Sequence, residues 1–220
     1  REIPSGLLES PSSAFQNDIN HRIFSSLKHR FSNAYVQLKS AYYDEKNIYT
    51  DSVRSVFGNN PCKTFINQFD FSKSINNFNI LKINLTNSLA SSNGNNYLDI
   101  AEINRTSITG SFKVNNPKYR LKHLLTTSLL FDKKYLSPFT FSYSLKREFH
   151  NHFNLYFNAG KVYRFPTIND LFWNPGGNLN LVPEQGYTGD IGIIWNKKIH
   201  KVIFSFEPSL DSRWIDNWIL

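Results

Sequence analysis

The chain has 220 residues, a formal charge of +8 and 40% hydrophobic residues, so it is long enough for one large domain or two small ones. Its 15% aromatic content, with 19 Phe and 11 Tyr but no Met, favours strands and turns over helices. No apolar run approaches the roughly 20 residues of a membrane-spanning helix, and the solitary Cys62 excludes a disulfide, a Cys-based zinc finger or a two-cysteine redox site within these residues.

The positive charge is spread thinly along the sequence. Lys133 and Lys134, and further on Lys197, Lys198 and Lys201, stand beside predicted turns, where solvated charge is expected in any β protein. This distribution argues against nucleic acid as a partner, because nucleic-acid binding needs a basic patch that releases counterions from phosphate. Attraction to lipopolysaccharide phosphates at a membrane rim is ranked above nucleic-acid binding.

The dominant pattern is period-two alternation, which places every second side chain on one face of a strand. Together with the turn signals between the alternating runs, it predicts about nine to eleven strands. In chain order, the runs are 34–42, 65–72, 78–89, 97–114, 119–131, 139–149, 153–160, 187–195 and 199–206.

The clearest alternation occurs in the run 139–149, where Phe139, Phe141 and Tyr143 share one face. Thr140, Ser142 and the other even-numbered residues form the opposite, polar face. A short link at 149–152 joins this run to 153–160, which alternates in the same way. Two runs joined so tightly predict a β-hairpin.

The connections between the runs alternate in length. The tight turns are predicted at 74–77, 115–118, 149–152 and 196–198, and the longer links at 90–97, 132–137 and 166–186. Short turns at one end and long loops at the other are typical of outer membrane β-barrels, whose long loops face the outside of the cell. The pattern therefore places the 166–186 loop outside the cell.

A soluble β-sandwich is the main structural alternative, because its strands also alternate. However, several predicted strands have roughly 11 to 18 residues, whereas globular strands usually have about 5 or 6. A tilted strand needs about 9 to 11 residues to cross a membrane. The polar face is also rich in Asn, Ser, Thr, Lys and Tyr, as a hydrated barrel interior would be. The sequence therefore favours a transmembrane barrel.

One segment resembles a known family. Residues 163–184 read Tyr-Arg-Phe-Pro-Thr-Ile-Asn-Asp-Leu-Phe-Trp-Asn-Pro-Gly-Gly-Asn-Leu-Asn-Leu-Val-Pro-Glu. They resemble the motif Tyr/Phe-Arg-x-Pro-Thr-x-x-Asp-Leu-Phe/Tyr, followed by Gly-Asn-x-x-Leu-x-Pro-Glu, in the barrel domain of TonB-dependent receptors. A weaker resemblance continues in the strand that follows and at 212–218. The form with Trp173, Asn174, Pro175 and a double Gly is most similar to the cobalamin-receptor-like branch of Bacteroidetes type.

The resemblance implies a bacterial outer membrane barrel of about 22 strands closed by an N-terminal plug domain. Residues 1–220 would then form a partial barrel domain, an all-β antiparallel meander without the plug and the C-terminal strands. Because the chain begins at Arg1 and ends in an apolar stretch, we expect it to be cut from a longer protein. The family imports scarce nutrients, such as cobalamin or ferric siderophores, when the TonB complex pulls on the plug. It uses no cofactor.

The motif residues fall into two groups. Those expected to be mainly structural, since they end strands, permit turns or line a membrane rim, are Tyr163, Pro166, Thr167, Leu171, Gly176, Gly177, Asn178, Leu181, Pro183 and Glu184. Those expected to face a substrate, because amide and charged groups can bind a chelate and aromatic rings can cover it, are Arg164, Asn169, Asp170, Phe172, Trp173 and Asn174.

Two other function classes remain open at this stage. A passive porin or scaffold barrel would share the strand pattern but not the motif. A barrel hydrolase is disfavoured, because no Gly-x-Ser-x-Gly elbow and no ordered Ser, His and Asp set occurs, so we predict no catalytic residues. His150 and His152 lie in a predicted turn without nearby carboxylates other than Glu148, so we predict no metal site.

Overall fold

The computed structural model describes residues 13–97, 99–150 and 152–219, and in this part of the chain the strands form one antiparallel sheet. The elements are β1 (Ala14–Arg30), β2 (Ala34–Asp51), β3 (Val56–Ser74), β4 (Asn79–Ser92), β5 (Ala101–Asn116), β6 (Leu121–Asp132), β7 (Thr140–His150), β8 (Phe153–Arg164), α1 (Ile168–Phe172), β9 (Glu184–Ile199), β10 (Val202–Phe206) and β11 (Ser209–Asp216).

The sheet is a meander in which each strand from β1 to β10 pairs with its neighbours in sequence. Both β10 and β11 pair with β9, so they are two halves of one edge strand, interrupted at Glu207 and Pro208. The carbonyl oxygen of Pro208 still accepts a hydrogen bond from the amide of Ile193, at 3.0 Å. The predicted all-β antiparallel fold and the upper limit of eleven strands are confirmed.

Each of the nine predicted strands corresponds to an observed one, but β1 and β11 were not predicted. The apolar face of β1 carries Ile19, Ile23 and Leu27, interrupted by His21 and Ser25. Phe24 lies on the opposite face, so the alternation is too irregular to recognise from sequence. Only the pairing with β2 over the whole length of β1 identifies it.

Several predicted boundaries were wrong: β2 extends to Asp51 instead of residue 42, and β3 begins at Val56 instead of residue 65. Residues 196–198, predicted as a turn, belong to β9, and the turn is formed by His200 and Lys201. This register places Lys197 opposite Phe204 and keeps the alternation intact on both strands. The strand predicted from residue 97 begins at Ala101, because Tyr97 makes an isolated bridge to another segment. Among the residues of these predicted elements, Leu98 and Asn151 lie outside the described part of the chain.

The sheet has two distinct faces. The apolar face contains rows of large side chains in register across the strands, such as Phe69, Leu85, Ile108 and Leu129 on β3 to β6. Most of these side chains are exposed, with Leu85 at 41% and Ile108 at 44% of the maximum, and Leu129 is half-buried. So large an exposed apolar surface is rare on soluble monomers. An exposed apolar surface of this size is typical of a face that contacts another protein or a membrane.

The polar face is held by a network of cross-strand hydrogen bonds. Asp70 pairs with the Lys39 ammonium at 2.9 Å and accepts hydrogen bonds from the Gln68 and Asn84 amides at 2.9 and 2.7 Å. Similar contacts join Thr109 to Ser128 and Asn158 to Asp190, so these polar groups are satisfied within the face.

The described residues contain little hydrophobic core. Only four of their hydrophobic residues are buried, namely Ala14, Ala41, Ala101 and Phe165. No second sheet packs on the first in the described part, so the sandwich alternative does not fit this structure. Helix α1, with five residues, is far too short to span a membrane, and no other described segment is a helix that could.

Candidate functional site

The two ends of the sheet differ, as predicted. At one end, the turn end, the connections are short and lie at 31–33, 75–78, 117–120, 151–152 and 200–201. At the other, the loop end, they lie at 52–55, 93–100, 133–139 and 165–183. The last of these contains most of the motif, which we call the motif loop (165–183). The motif is therefore at the end that has the three longest connections, although 52–55 at the same end is as short as the turns opposite.

The motif loop is fastened across the end of the sheet by Arg105 of β5. The Arg105 guanidinium pairs with Asp132 at 2.9 Å and donates to the carbonyl oxygen of Pro166. It also lies over the ring of Phe165, 5.1 Å from the ring centre. Phe165 is only 5% exposed, and Tyr135 stacks on it. A loop that starts at β8 is thus anchored three strands away.

The helix within the motif loop begins with a capping box. The hydroxyl of Thr167 accepts from the amide of Asp170 at 3.1 Å, and the Asp170 carboxylate accepts from the amide of Thr167 at 2.7 Å. This reciprocal pair satisfies two amides that a helix start otherwise leaves free. The motif's Thr and Asp are therefore explained by local structure.

Arg164, predicted to face a substrate, lies between two carboxylates. Its guanidinium pairs with Asp170 at 3.1 Å and with Glu184 at 2.9 Å, across the start and the end of the motif loop. Glu184 also accepts from the amide of Ile219 at 2.8 Å. Arg164 remains 45% exposed, so it closes the loop at its base while one side still faces solvent.

Asn169 and Trp173 are held by the 93–100 loop. The Tyr97 hydroxyl donates to the side-chain oxygen of Asn169 at 2.6 Å, and its ring meets the Trp173 ring edge to face, with centres 5.6 Å apart. Burial raises the pKa of the Tyr97 hydroxyl, so it stays protonated as a donor. The amide of Asn174 donates to the carbonyl oxygen of Asn96 at 2.7 Å.

The second half of the motif loop is shaped by its glycines and by contacts to the 133–139 link. Gly176 has a φ of +116°, which favours glycine, and the preceding Asn174–Pro175 peptide is cis. Lys134 and Tyr135 donate to the carbonyl oxygens of Leu179 and Leu181, at 2.8 and 2.7 Å. Pro183 directly precedes β9, as expected for a residue that returns the chain to a strand.

Gly177 leaves no room for a side chain, so Gly177→Ala is expected to distort the motif loop. An added Cβ would lie 2.6 Å from backbone atoms of Trp173 and 2.9 Å from the Leu171 oxygen. We expect amide exchange across the loop to rise at least tenfold, measured by mass spectrometry. Gly189→Ala on β9, whose Cβ would meet only Asn158 at an ordinary 3.5 Å, is the control. Equal exchange in both variants would contradict the prediction.

A cavity of about 530 Å³ opens beside the motif loop. It brings together three of the six predicted substrate residues, Asn169, Asp170 and Trp173, and it leaves Arg164, Phe172 and Asn174 outside its lining. Its full lining is Asn169, Asp170, Trp173, Gly176, Asn178, Leu181, Trp218 and Ile219. Amide, carboxylate and indole groups around an open cavity can bind a polar ligand that has an apolar face.

Sequence reasoning did not find every residue of this region. Tyr97, Arg105 and Tyr135 come from three other segments and carry no local motif. Trp218 was noted only as part of the weaker resemblance at 212–218. The described residues contain no group of three or more His, Cys, Asp or Glu side chains that could hold a metal ion.

Residues 105–205 match the family model described as "TonB dependent receptor-like, beta-barrel". The match runs from Arg105 on β5 through the motif loop to Ser205 on β10. It covers somewhat less than half of the chain. It includes the segment 163–184 on which the sequence resemblance rests. No curated protein sequence matches the chain.

Solved structures with the same fold include two receptors and a copper transporter. The siderophore receptor PirA from Pseudomonas aeruginosa has a TM-score of 0.71 and 9% identity, and the match covers 83% of this chain and 36% of that one. The alcaligin outer membrane receptor FauA from Bordetella pertussis has a TM-score of 0.56 and 12% identity, and the match covers 91% of this chain and 37% of FauA. The copper transporter OprC has a TM-score of 0.58 and 13% identity, and the match covers 91% of this chain and 39% of OprC.

At these identities the likeness establishes the fold alone. The chain spans between one third and two fifths of the length of each of these proteins. Its eleven-stranded sheet is therefore similar to a part of a larger outer membrane barrel.

Proposed function

We propose that the chain is part of the barrel of a TonB-dependent receptor in a bacterial outer membrane, and that the whole protein imports a scarce nutrient. The observation that carries this proposal is the match of residues 105–205 to the receptor barrel family, on a sheet with an exposed apolar face. All of the described part of residues 1–220 then belongs to one partial barrel domain. The full protein has about 22 strands.

The two faces of the sheet support a place in the membrane. The apolar face would contact lipid chains, and the polar face, with its hydrogen-bonded Asp, Asn and Thr side chains, would line the interior. Strands of 11 to 19 residues for β1 to β9 are long enough to cross the hydrocarbon region at a tilt. The free edges at β1 and at β10 and β11 would pair with further strands of the same barrel, because unpaired edges are not stable in lipid.

The substrate would bind at the loop end. In this proposal the cavity beside the motif loop forms one wall of the binding site, with Trp173 covering an apolar part of the ligand and Asn169 and Asp170 offering polar atoms. Phe172 and Asn174 extend this wall. Arg164 acts chiefly by holding the loop closed, since both neighbouring carboxylates engage it. The remaining walls come from the rest of the receptor, including its plug.

A metal chelate, such as a ferric siderophore, or cobalamin is the proposed substrate class. Two of the three similar structures are receptors named for a siderophore or for alcaligin, and the third is named a copper transporter. The cobalamin reading depends on the form of the motif around Trp173, Asn174 and Pro175. The energy comes from the TonB complex, which acts on the plug.

The proposal is tested by uptake in a host that lacks its own receptors. We expect the full-length protein that contains this chain to support saturable uptake of a ferric siderophore or of cobalamin, and deletion of tonB to abolish it. Trp173→Ala is expected to weaken ligand binding roughly tenfold, because a large aromatic contact is lost. Tyr119→Ala, which removes an exposed aromatic residue at the turn end, is the matched control.

Two outcomes would contradict the proposal. Uptake that continues unchanged without TonB would identify a passive porin, and the absence of any uptake or binding with a correctly inserted protein would leave a scaffold barrel. If only Trp173→Ala were silent, the receptor function would stand and the ligand would bind to other loops.

A further inference from the structure

Lysines and arginines that are far apart in the sequence lie together at the turn end of the folded sheet. The strand ends and turns concerned are 27–37, 71–83, 111–123, 145–155 and 194–204, and they contain 13 of the chain's 25 Lys and Arg residues. Among the Asp and Glu residues that the structure describes, only Glu148 lies there. The turn end is therefore strongly basic, whereas the other described carboxylates lie farther along the strands or at the loop end.

These cations divide between the two faces of the sheet. Six lysines, of which Lys122 pairs with Glu148 at 2.7 Å, and Arg30 lie on the polar face. The other group alternates with the large apolar side chains or stands in the turns themselves. We call it the outer ring, and it consists of Lys73, Lys118, Arg120, Arg147, Lys197 and Lys201. No described residue forms an ion pair with any member of the outer ring.

Exposed aromatic rings stand among the outer-ring cations. The guanidinium of Arg147 lies 4.6 Å from the centre of the Phe149 ring, and the ammonium of Lys118 lies 5.4 Å from that of Tyr119. Phe78, in the turn between β3 and β4, is also exposed. Aromatic rings with basic side chains at one end of an apolar surface are typical of a membrane–water interface.

We propose that the outer ring binds the phosphate groups of anionic phospholipids in the inner leaflet of the outer membrane. This inference rests on the proposed membrane location of the sheet. The apolar face ends at the ring, so a lipid whose chains cover Phe112 and Leu125 has its headgroup beside these cations. Each Lys or Arg near an anionic surface adds to the attraction, and no carboxylate belongs to the outer ring to oppose it.

The side of the membrane decides between phospholipid and lipopolysaccharide. Outer membrane barrels place their short turns toward the periplasm, and the turns next to the outer ring are the short ones. The lipid there is phospholipid, so phosphatidylglycerol is the anionic headgroup that the ring would select over the neutral phosphatidylcholine. Lipopolysaccharide, in the opposite leaflet, would meet the loop end.

The test compares two variants of the full-length receptor that lose the same charge from the same end of the barrel. The outer variant carries Lys73→Gln, Lys118→Gln, Arg147→Gln and Lys197→Gln, and the inner control carries Lys82→Gln, Lys113→Gln, Lys146→Gln and Lys198→Gln. Native mass spectrometry would count the lipids retained after incubation with equal amounts of phosphatidylglycerol and phosphatidylcholine. Separate incubations with lipid A would test the other leaflet's phosphate.

We expect the wild-type protein and the inner control to prefer phosphatidylglycerol, and the outer variant to lose this preference at least tenfold. An unchanged preference in the outer variant would overturn the inference. A preference for lipid A that the outer variant abolishes would overturn it too, because the ring would then face the outer leaflet. A gel mobility that changes on heating would show that all three proteins are folded barrels. If none of them shows this change, the proposed function has failed, and the lipid result does not bear on the outer ring.

Discussion

Ile108→Arg is expected to destabilise the barrel by roughly 2 to 4 kcal/mol, the cost of a cation on a lipid-facing strand near the middle of the bilayer. Ile108 is close to the middle of β5, and its row on the apolar face continues through Leu85 and Leu129. It is 44% exposed. No described carboxylate on that face stands near enough in register to pair with the new charge. Urea unfolding of the full-length protein in phospholipid vesicles, followed by tryptophan fluorescence, would measure the loss.

The matched control is Ser107→Arg, one residue earlier in β5 and on the polar face. Ser107 is in register with Thr86 on β4, in a face whose other side chains accept and donate hydrogen bonds. An arginine there can remain hydrated in the barrel interior, so we expect a change below about 1 kcal/mol. Equal losses in the two variants would show that both faces meet the same environment, and the assignment of the apolar face to lipid would then be wrong.

Ile108 and Ser107 are adjacent in sequence but lie on opposite faces of the sheet, and this alternation explains why most of the fold was predictable from sequence. Side chains alternate across a strand, so the placement of Phe141, Tyr143 and Leu145 on one face follows from their spacing alone. The antiparallel meander then follows from the short turns. The same principle explains why β1 was missed: the polar His21 and the apolar Phe24 each lie on the unexpected face, and only pairing with β2 reveals the strand.

The sequence predicts the site only where its contacts join residues that are close together in the chain. The roles of Thr167 and Asp170 in a capping box follow from their spacing of three residues. The anchoring of the loop does not, because Arg105 and Tyr97 reach it from β5 and from the 93–100 loop, at separations of more than 60 residues. Those contacts depend on the register and curvature of four strands. The basic turn end was missed for the same reason, since its cations come from five separate turns.

Arg105→Gln is expected to release the motif loop from the sheet. The change removes the ion pair to Asp132, the hydrogen bond to the Pro166 carbonyl and the contact with the Phe165 ring. The Arg105 and Asp132 side chains are 23% and 13% exposed, so solvent compensates little of the loss. We expect the free energy of local opening to fall by roughly 2 to 3 kcal/mol. Amide exchange of residues 165–183 would then be roughly 30- to 150-fold faster.

A second arginine of the sheet supplies the control for this prediction. Arg22 on β1 pairs with Glu45 on β2 at 2.6 Å, but the two side chains are 61% and 37% exposed. Exposed pairs contribute about 0 to 1 kcal/mol, so Arg22→Gln should leave exchange in the motif loop unchanged. If Arg105→Gln also leaves the loop protected while substrate affinity falls, Arg105 contacts the ligand directly. If both exchange and affinity change together, the loop binds substrate only in the conformation that Arg105 holds.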